Sequence, residues 1–197
     1  MIKINKNSDT VIIVIHEIYG VNKHMNYICE SLSDRHFDII CPNLLDRELP
    51  FDYAHEEAAY RHFMEHVGFT QASHQIISLV LGLKDKYQKI FIAGFSVGAT
   101  IAWLCSEEKN IDGIVGYYGS RIRNYVDLSP QCPALLFFPQ EEPAFEVDEL
   151  ISSLVEKDIE AYKCSGQHGF SDPYSTKYHA KSAQQTFQAM IDFFQSV

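Results

Sequence analysis

The stretch Ile90-Phe91-Ile92-Ala93-Gly94-Phe95-Ser96-Val97-Gly98-Ala99-Thr100 decides how the rest of the chain is read. An apolar run leads into Gly-Phe-Ser-Val-Gly, and Ile101-Ala102-Trp103-Leu104 follows with helix-like spacing. A G-x-S-x-G match carries meaning when a strand precedes it and a helix follows. The pattern predicts a buried strand ending at Ala93, a sharp reversal through Ser96 and a helix from about Val97. A residue at the apex of so tight a turn takes a positive φ. Gly94 and Gly98 lack the Cβ that would keep neighbouring backbone away. Amides at the helix start have no intrahelical partner and face any charge that develops beside Ser96. Ser96 is the candidate nucleophile.

The flanking sequence alternates between strand and helix patterns. Val11–Ile15 is continuously apolar and β-branched, as a strand covered on both faces would be. A helix is predicted over His24–Ser33, with Met25, Ile28, Cys29 and Leu32 on one face. A short strand follows at Phe37–Cys41, stopped by Pro42, and then a loop over Asn43–Phe51. Asp52–His66 reads as a polar helix and Thr70–Tyr87 as a second one. Beyond the elbow, Ile111–Tyr118, Ala134–Phe138 and Ile159–Lys163 are predicted strands. Glu146–Lys157 and Tyr178–Phe194 are predicted helices, the last with Phe187, Met190, Ile191 and Phe194 inward. Strands alternating with helices imply an α/β chain with a doubly wound, mainly parallel sheet flanked by helices. Ligands of such sheets bind at the carboxyl ends of the strands.

Composition narrows the function. At 197 residues and 46% hydrophobic, the chain reads as one domain spanning 1–197 with one large core. A formal charge of −10 argues against nucleic acid or an anionic membrane surface as the main partner. Met1–Asn7 carries no long apolar segment of the signal-peptide kind, and Val11–Ile15 is too short to span a bilayer, so the expectation is a cytoplasmic protein. The five cysteines are widely spaced without C-x-x-C, which fits buried free thiols rather than a zinc or disulfide framework.

A serine hydroxyl needs a base, and the base needs a third group to orient it. In folds of this kind the chain order is serine, acid, histidine. His168, in Ser165-Gly166-Gln167-His168-Gly169-Phe170 after the last strand, stands where the base should be. The acid should follow Ala134–Phe138. Glu141 and Glu142 both qualify and Asp148 is a more distant option; Glu142 is favoured. The backbone amides of Ile18 and Val97 are the candidate oxyanion donors. Tyr60 and Arg61, on the predicted covering helix, and Arg121 or Arg123 after the fourth strand are candidates to line the pocket. His62-Phe63-Met64-Glu65-His66 matches H-x-x-E-H, which can hold zinc, but Gly68 follows closely and no third ligand stands at a convincing place. No metal or other cofactor is expected.

Four stretches carry a resemblance to the dienelactone hydrolase family over nearly the whole chain. They are His16-Glu17-Ile18-Tyr19-Gly20-Val21-Asn22, the elbow, Gly116-Tyr117-Tyr118-Gly119, and His168-Gly169-Phe170 with Tyr178 and the Phe193-Phe194 close. The resemblance implies an α/β-hydrolase fold, hydrolysis of a small ester or lactone without cofactors, and a small buried pocket. It places the Glu17 carboxylate beside the nucleophile, with Tyr19, Tyr118 and Phe170 around the pocket. Dienelactone-cleaving members carry cysteine where this chain has Ser96, and usually aspartate where it has Glu142. The arginine expected a few residues after the histidine is replaced near Ser171-Asp172-Pro173. With Glu17 and Asp172 both acidic, a neutral ester, lactone or thioester is the expected substrate. The alternatives are a binding protein on the same scaffold and an acyltransferase using the same residues.

Overall fold

The computed structural model describes residues 1–157 and 159–197. Among them, seven strands form one sheet in the order β1-β3-β2-β4-β5-β6-β7. The strands are β1 (Ile2–Ile4), β2 (Thr10–Ile15), β3 (Asp38–Cys41), β4 (Lys89–Phe95), β5 (Gly113–Tyr117), β6 (Ala134–Phe138) and β7 (Glu160–Lys163). All neighbours pair in parallel except β1, which runs antiparallel to β3 at the edge. The helices are α1 (Lys23–Ser33), α2 (Glu56–His66), α3 (Phe69–Leu83), α4 (Val97–Cys105), α5 (Val147–Val155) and α6 (Ala180–Ser196). The doubly wound sheet expected from the pattern is the one observed.

Strand periodicity divides the core into two layers. Val11, Ile13 and Ile15 of β2 join the cluster formed with α2, α3, α4 and α5. Ile12 and Val14, one residue out of phase, join the cluster of α1 and α6. Ile90 and Ile92 of β4 face the first layer, and Phe91, Ala93 and Phe95 the second. A strand buried on both faces needs apolar residues at every position, which is why β2 and β4 are unbroken apolar runs. From β2 the chain steps to β3 on one side and later to β4 on the other. The switch point of the sheet therefore lies between β2 and β4, where a crevice opens at the carboxyl ends.

Several boundaries differ from the sequence reading. The central strand runs on to Phe95, placing Gly94 inside β4. A 3₁₀ turn, Tyr53–His55, capped by Asp52, precedes α2. The chain beyond Phe170 stays irregular to His179, so the last helix starts at Ala180. The strand β1 was not expected: three residues suffice because Ile2, Lys3 and Ile4 pair with Cys41, Ile40 and Ile39 of a preformed neighbour. No helix among the described residues is long and apolar enough to cross a membrane.

Candidate active site

At the end of β4 the chain turns through Ser96 with φ 54° and ψ −113°. An L-residue in this conformation costs of order 1–3 kcal/mol and persists only where its surroundings fix it. The Ser96 amide donates to the Tyr117 carbonyl oxygen of β5 at 2.9 Å. The Ser96 carbonyl oxygen accepts from Ala99 and Thr100 of α4. A Cβ on Gly94 would meet the Gly98 carbonyl oxygen at 2.2 Å. The two glycines are what let α4 begin directly against the strand it leaves.

The turn presents Ser96 Oγ to His168 Nε2 at 2.9 Å, and His168 Nδ1 lies 2.6 Å from Glu142 Oε1. The Glu142 side chain is only 7% exposed, against 32% for His168. With a carboxylate on Nδ1, the ring proton sits on that nitrogen and the Nε2 lone pair faces the Ser96 hydroxyl. Glu141, the alternative acid, is exposed and makes no hydrogen bond to His168. Asp148 is committed to Lys163 Nζ at 2.8 Å. Gly166 and Gly169, both at positive φ, shape the loop that carries His168, and a hydrogen bond from the Gln140 amide to the Gly166 carbonyl oxygen ties it to the loop after β6.

Ile18 and Val97, whose amides are the candidate oxyanion donors, line the same cleft as Ser96. Among the described residues neither donates to another protein group. The Ile18 loop is held by His16, which is fully buried: the Leu44 amide donates to its Nε2 at 3.0 Å, so its Nδ1–H donates to the Glu17 carbonyl oxygen at 2.6 Å. Burial keeps this imidazole neutral, with a pKa near 4.

These groups open on a cleft of about 870 Å³ at the crevice between β2 and β4. Glu17, Ile18, Tyr19, Tyr60, Val97, Arg121 and Arg123 line it with Ser96 and His168. Arg121 donates to the Tyr60 hydroxyl at 2.7 Å, closing one wall between α2 and the segment after β5. Three expected lining residues lie elsewhere. Arg61 is exposed on α2, because its neighbour Tyr60 takes the inward position and successive helical residues point about 100° apart. Phe170 is fully buried against the rings of Tyr117 and Tyr118, in the α1/α6 layer. Tyr118 is also fully buried; its ring packs 4.9 Å from that of His168 and supports the site from beneath.

Glu17 is 5% exposed, and its Oε1 accepts from the Tyr118 hydroxyl at 3.0 Å. Burial alone would raise its pKa, but His24 and Tyr118 outweigh that and hold it below the ordinary carboxylate value. The sequence reading passed over three contributors to this region. His24 faces Glu17 from α1, Tyr53 donates to Asp172 Oδ2 at 2.5 Å, and Ser171 shares a hydrogen bond with the Tyr118 hydroxyl at 2.9 Å. A histidine within the first turn of a helix carries no local signal of such a role. The H-x-x-E-H pair is a surface feature: the rings of His62 and His66 stack at 4.5 Å on α2, while Glu65 is exposed.

Comparison with known proteins bears on the family and the fold. The chain is 41% identical over 172 residues to the uncharacterized protein YczH of Bacillus subtilis, covering 86% of this chain and 84% of that one. A dienelactone hydrolase from Anabaena variabilis superposes with a TM-score of 0.69 at 14% identity, covering 96% of this chain and 86% of that one. A dienelactone-hydrolase-like promiscuous phosphotriesterase from metagenomic libraries superposes with a TM-score of 0.72 at 15% identity, covering 95% and 85%. At such identities these two likenesses speak for the fold. The sequence model of the dienelactone hydrolase family matches residues 1–197, and on that match the chain belongs to the dienelactone hydrolase family of hydrolases.

Proposed function

We propose that this protein is a serine hydrolase of small carboxylic esters, lactones or thioesters. The observation that carries the reading is the unbroken hydrogen-bonded chain Ser96–His168–Glu142, ending on a hydroxyl at a strained turn. In this mechanism His168 Nε2 takes the Ser96 proton as Oγ attacks the acyl carbon. Negative charge then moves onto the carbonyl oxygen, where the Ile18 and Val97 amides await it, each worth about 10²–10³ in rate. Glu142 stabilises the imidazolium that forms and holds its tautomer. His168 returns the proton to the departing alcohol, alcohol end of the opened lactone, or thiol. Water, deprotonated by the same imidazole, then releases the acid from Ser96 and restores the enzyme.

The charge around the cleft supports a neutral acyl group. The carboxylates of Glu17 and Asp172 line one side and would repel an anionic group placed there. Arg121 and Arg123 line the cleft as well, but Arg121 is engaged with Tyr60, and Arg123 lies over the Phe145 ring at 4.9 Å.

The test is hydrolysis of a panel of short p-nitrophenyl esters by the wild type and Ser96→Ala. The expected loss is at least about 10³-fold. Equal rates for the two proteins would end the reading. Labelling of Ser96 by a fluorophosphonate separates it from a binding protein on the same scaffold, whose unactivated serine would react slowly.

A further inference from the structure

Three buried groups from distant parts of the chain converge at the floor of the cleft, and the hydrolysis proposed above does not use them together. Glu17 follows β2, His24 lies in the first turn of α1, and Asp172 follows the His168 loop; they are 5%, 0% and 2% exposed. His24 Nδ1 is 3.6 Å from Glu17 Oε2 and 3.9 Å from Asp172 Oδ2. All three ligand atoms lie within 4.8 Å of one another. Both separations from His24 are too long for hydrogen bonds. Neither ring nitrogen of His24 has a hydrogen-bond partner. Among the described residues, no lysine or arginine pairs with either carboxylate.

Two carboxylates removed from water beside one another require a positive charge. An imidazolium supplies one such charge against two carboxylates, and its Nδ1–H would find neither oxygen within hydrogen-bond distance. A divalent cation held between the three atoms supplies both charges and bonds Nδ1, while Nε2 keeps its single proton. With metal–ligand bonds of 2.0–2.2 Å in a tetrahedral or trigonal arrangement, ligand atoms stand about 3.4–3.8 Å apart. The 3.6 Å separation from His24 Nδ1 falls within that range and the 3.9 Å one lies just beyond it.

We propose that Glu17 Oε2, His24 Nδ1 and Asp172 Oδ2 form a binding site for a divalent cation of the zinc class. The mixed carboxylate and imidazole set suits zinc better than magnesium or calcium, which take oxygen ligands. Surrounding groups hold the ligands in place. The Tyr118 hydroxyl occupies Glu17 Oε1 and leaves Oε2 free. Asp172 is fixed by the Tyr53 hydroxyl on Oδ2 and by the Tyr174 amide on Oδ1 at 2.9 Å. The Asn22 side chain caps α1 by accepting from the Met25 amide, setting the turn that carries His24. Glu17 and Asp172 both line the cleft, so the proposed site borders it. Nε2 lacks the acceptor that ordinarily steadies a ligating histidine, which weakens affinity by about 10–100-fold relative to a fully supported site. His62 and His66 of the H-x-x-E-H helix stack on each other and are not among these three groups.

The experiment measures metal binding, so its outcome is independent of the proposed hydrolysis. The full-length protein is stripped with EDTA, titrated with zinc chloride by calorimetry, and its retained metal counted by mass spectrometry. One equivalent is expected in the wild type and in the double variant His62→Gln/His66→Gln. Affinity is expected to fall at least 100-fold in His24→Gln, and Asp172→Asn serves the same purpose should His24→Gln fail to fold. A wild type that takes up no zinc overturns the proposal without any variant. Zinc retained in His24→Gln and Asp172→Asn, or lost in the His62/His66 variant, also overturns it.

Discussion

Gly98 lies so close to Ile15 that a Cβ on Gly98 would meet the Ile15 carbonyl oxygen at 2.3 Å. This contact locks the start of α4 against the end of β2, so the nucleophile turn and the Ile18 loop are positioned by one piece of backbone packing. Because the obstructing atom belongs to the backbone, no rotamer change relieves it. Gly98→Ala is expected to cost about 1–3 kcal/mol. Its effect on ester hydrolysis should be larger than its effect on stability, since the Ser96 turn and the Ile18 loop both shift. Gly82 in α3 has open space where a Cβ would go, and Gly82→Ala there should stabilise by about 0.4–1 kcal/mol. Thermal melts of the two variants check the opposite signs.

The short hydrogen bond between Glu142 and His168 sets a second expectation. Glu142→Gln keeps the shape but removes the charge that stabilises the imidazolium, and it permits the wrong ring tautomer. Hydrolysis of a p-nitrophenyl ester should drop by about 10²–10⁴-fold. Glu141→Gln, at an exposed position without a bond to His168, should stay within a few-fold of the wild type. Similar losses from both substitutions would show that the acid has been misassigned.

His16 makes stability depend on pH in a defined direction. Its burial holds the pKa at about 4, against 6.5 for the free group. Between those values the unfolded chain binds a proton that the folded one refuses, so stability is lost as pH falls through that window. From pH 7 to pH 5 the contribution lost is about 2 kcal/mol. Urea unfolding of the wild type and His16→Gln at both pH values isolates it. The wild type should lose about 2 kcal/mol more than the variant, and parallel losses would show that His16 titrates normally in the fold.

The thiols should be slow to react. Cys29, Cys41, Cys105 and Cys132 are buried, and Cys164 is half-buried. Burial pushes Cys105 and Cys132 up to about 12 and Cys164 up to about 11. Near pH 8 the Cys164 thiolate is then a fraction of about 10⁻³, and its reaction with Ellman's reagent should run about 10²-fold slower than that of an ordinary thiol. All five cysteines should titrate after unfolding. Fast, stoichiometric labelling of the native protein would contradict this packing.

Local chemistry was legible in the chain. Unbroken β-branched runs such as Val11–Ile15 announce strands covered on both faces, and β2 is such a strand. The glycines on either side of Ser96 announce a turn too tight for side chains, and a methyl group at either position would indeed collide with backbone. The order of Ser96, Glu142 and His168 along the chain follows from strands delivering their carboxyl ends to one edge of the sheet. Where the signal was a neighbour rather than a period, the reading failed. Nothing local tells Tyr60 from Arg61, and β1 exists only because β3 offers it an edge.

By itself, then, the sequence determined the alternation of strands and helices, the site at the end of β4, and the small set of residues able to serve it, because hydrophobic periodicity and glycine sterics are properties of adjacent residues. Only the tertiary structure decided that Glu142 rather than Glu141 meets His168, that Phe170 and Tyr118 lie beneath the cleft, and that His24 faces Glu17 and Asp172. Those are matters of which side chains come within a few ångströms across the sheet. Such distances depend on how the two packed layers fix loops drawn from opposite ends of the chain.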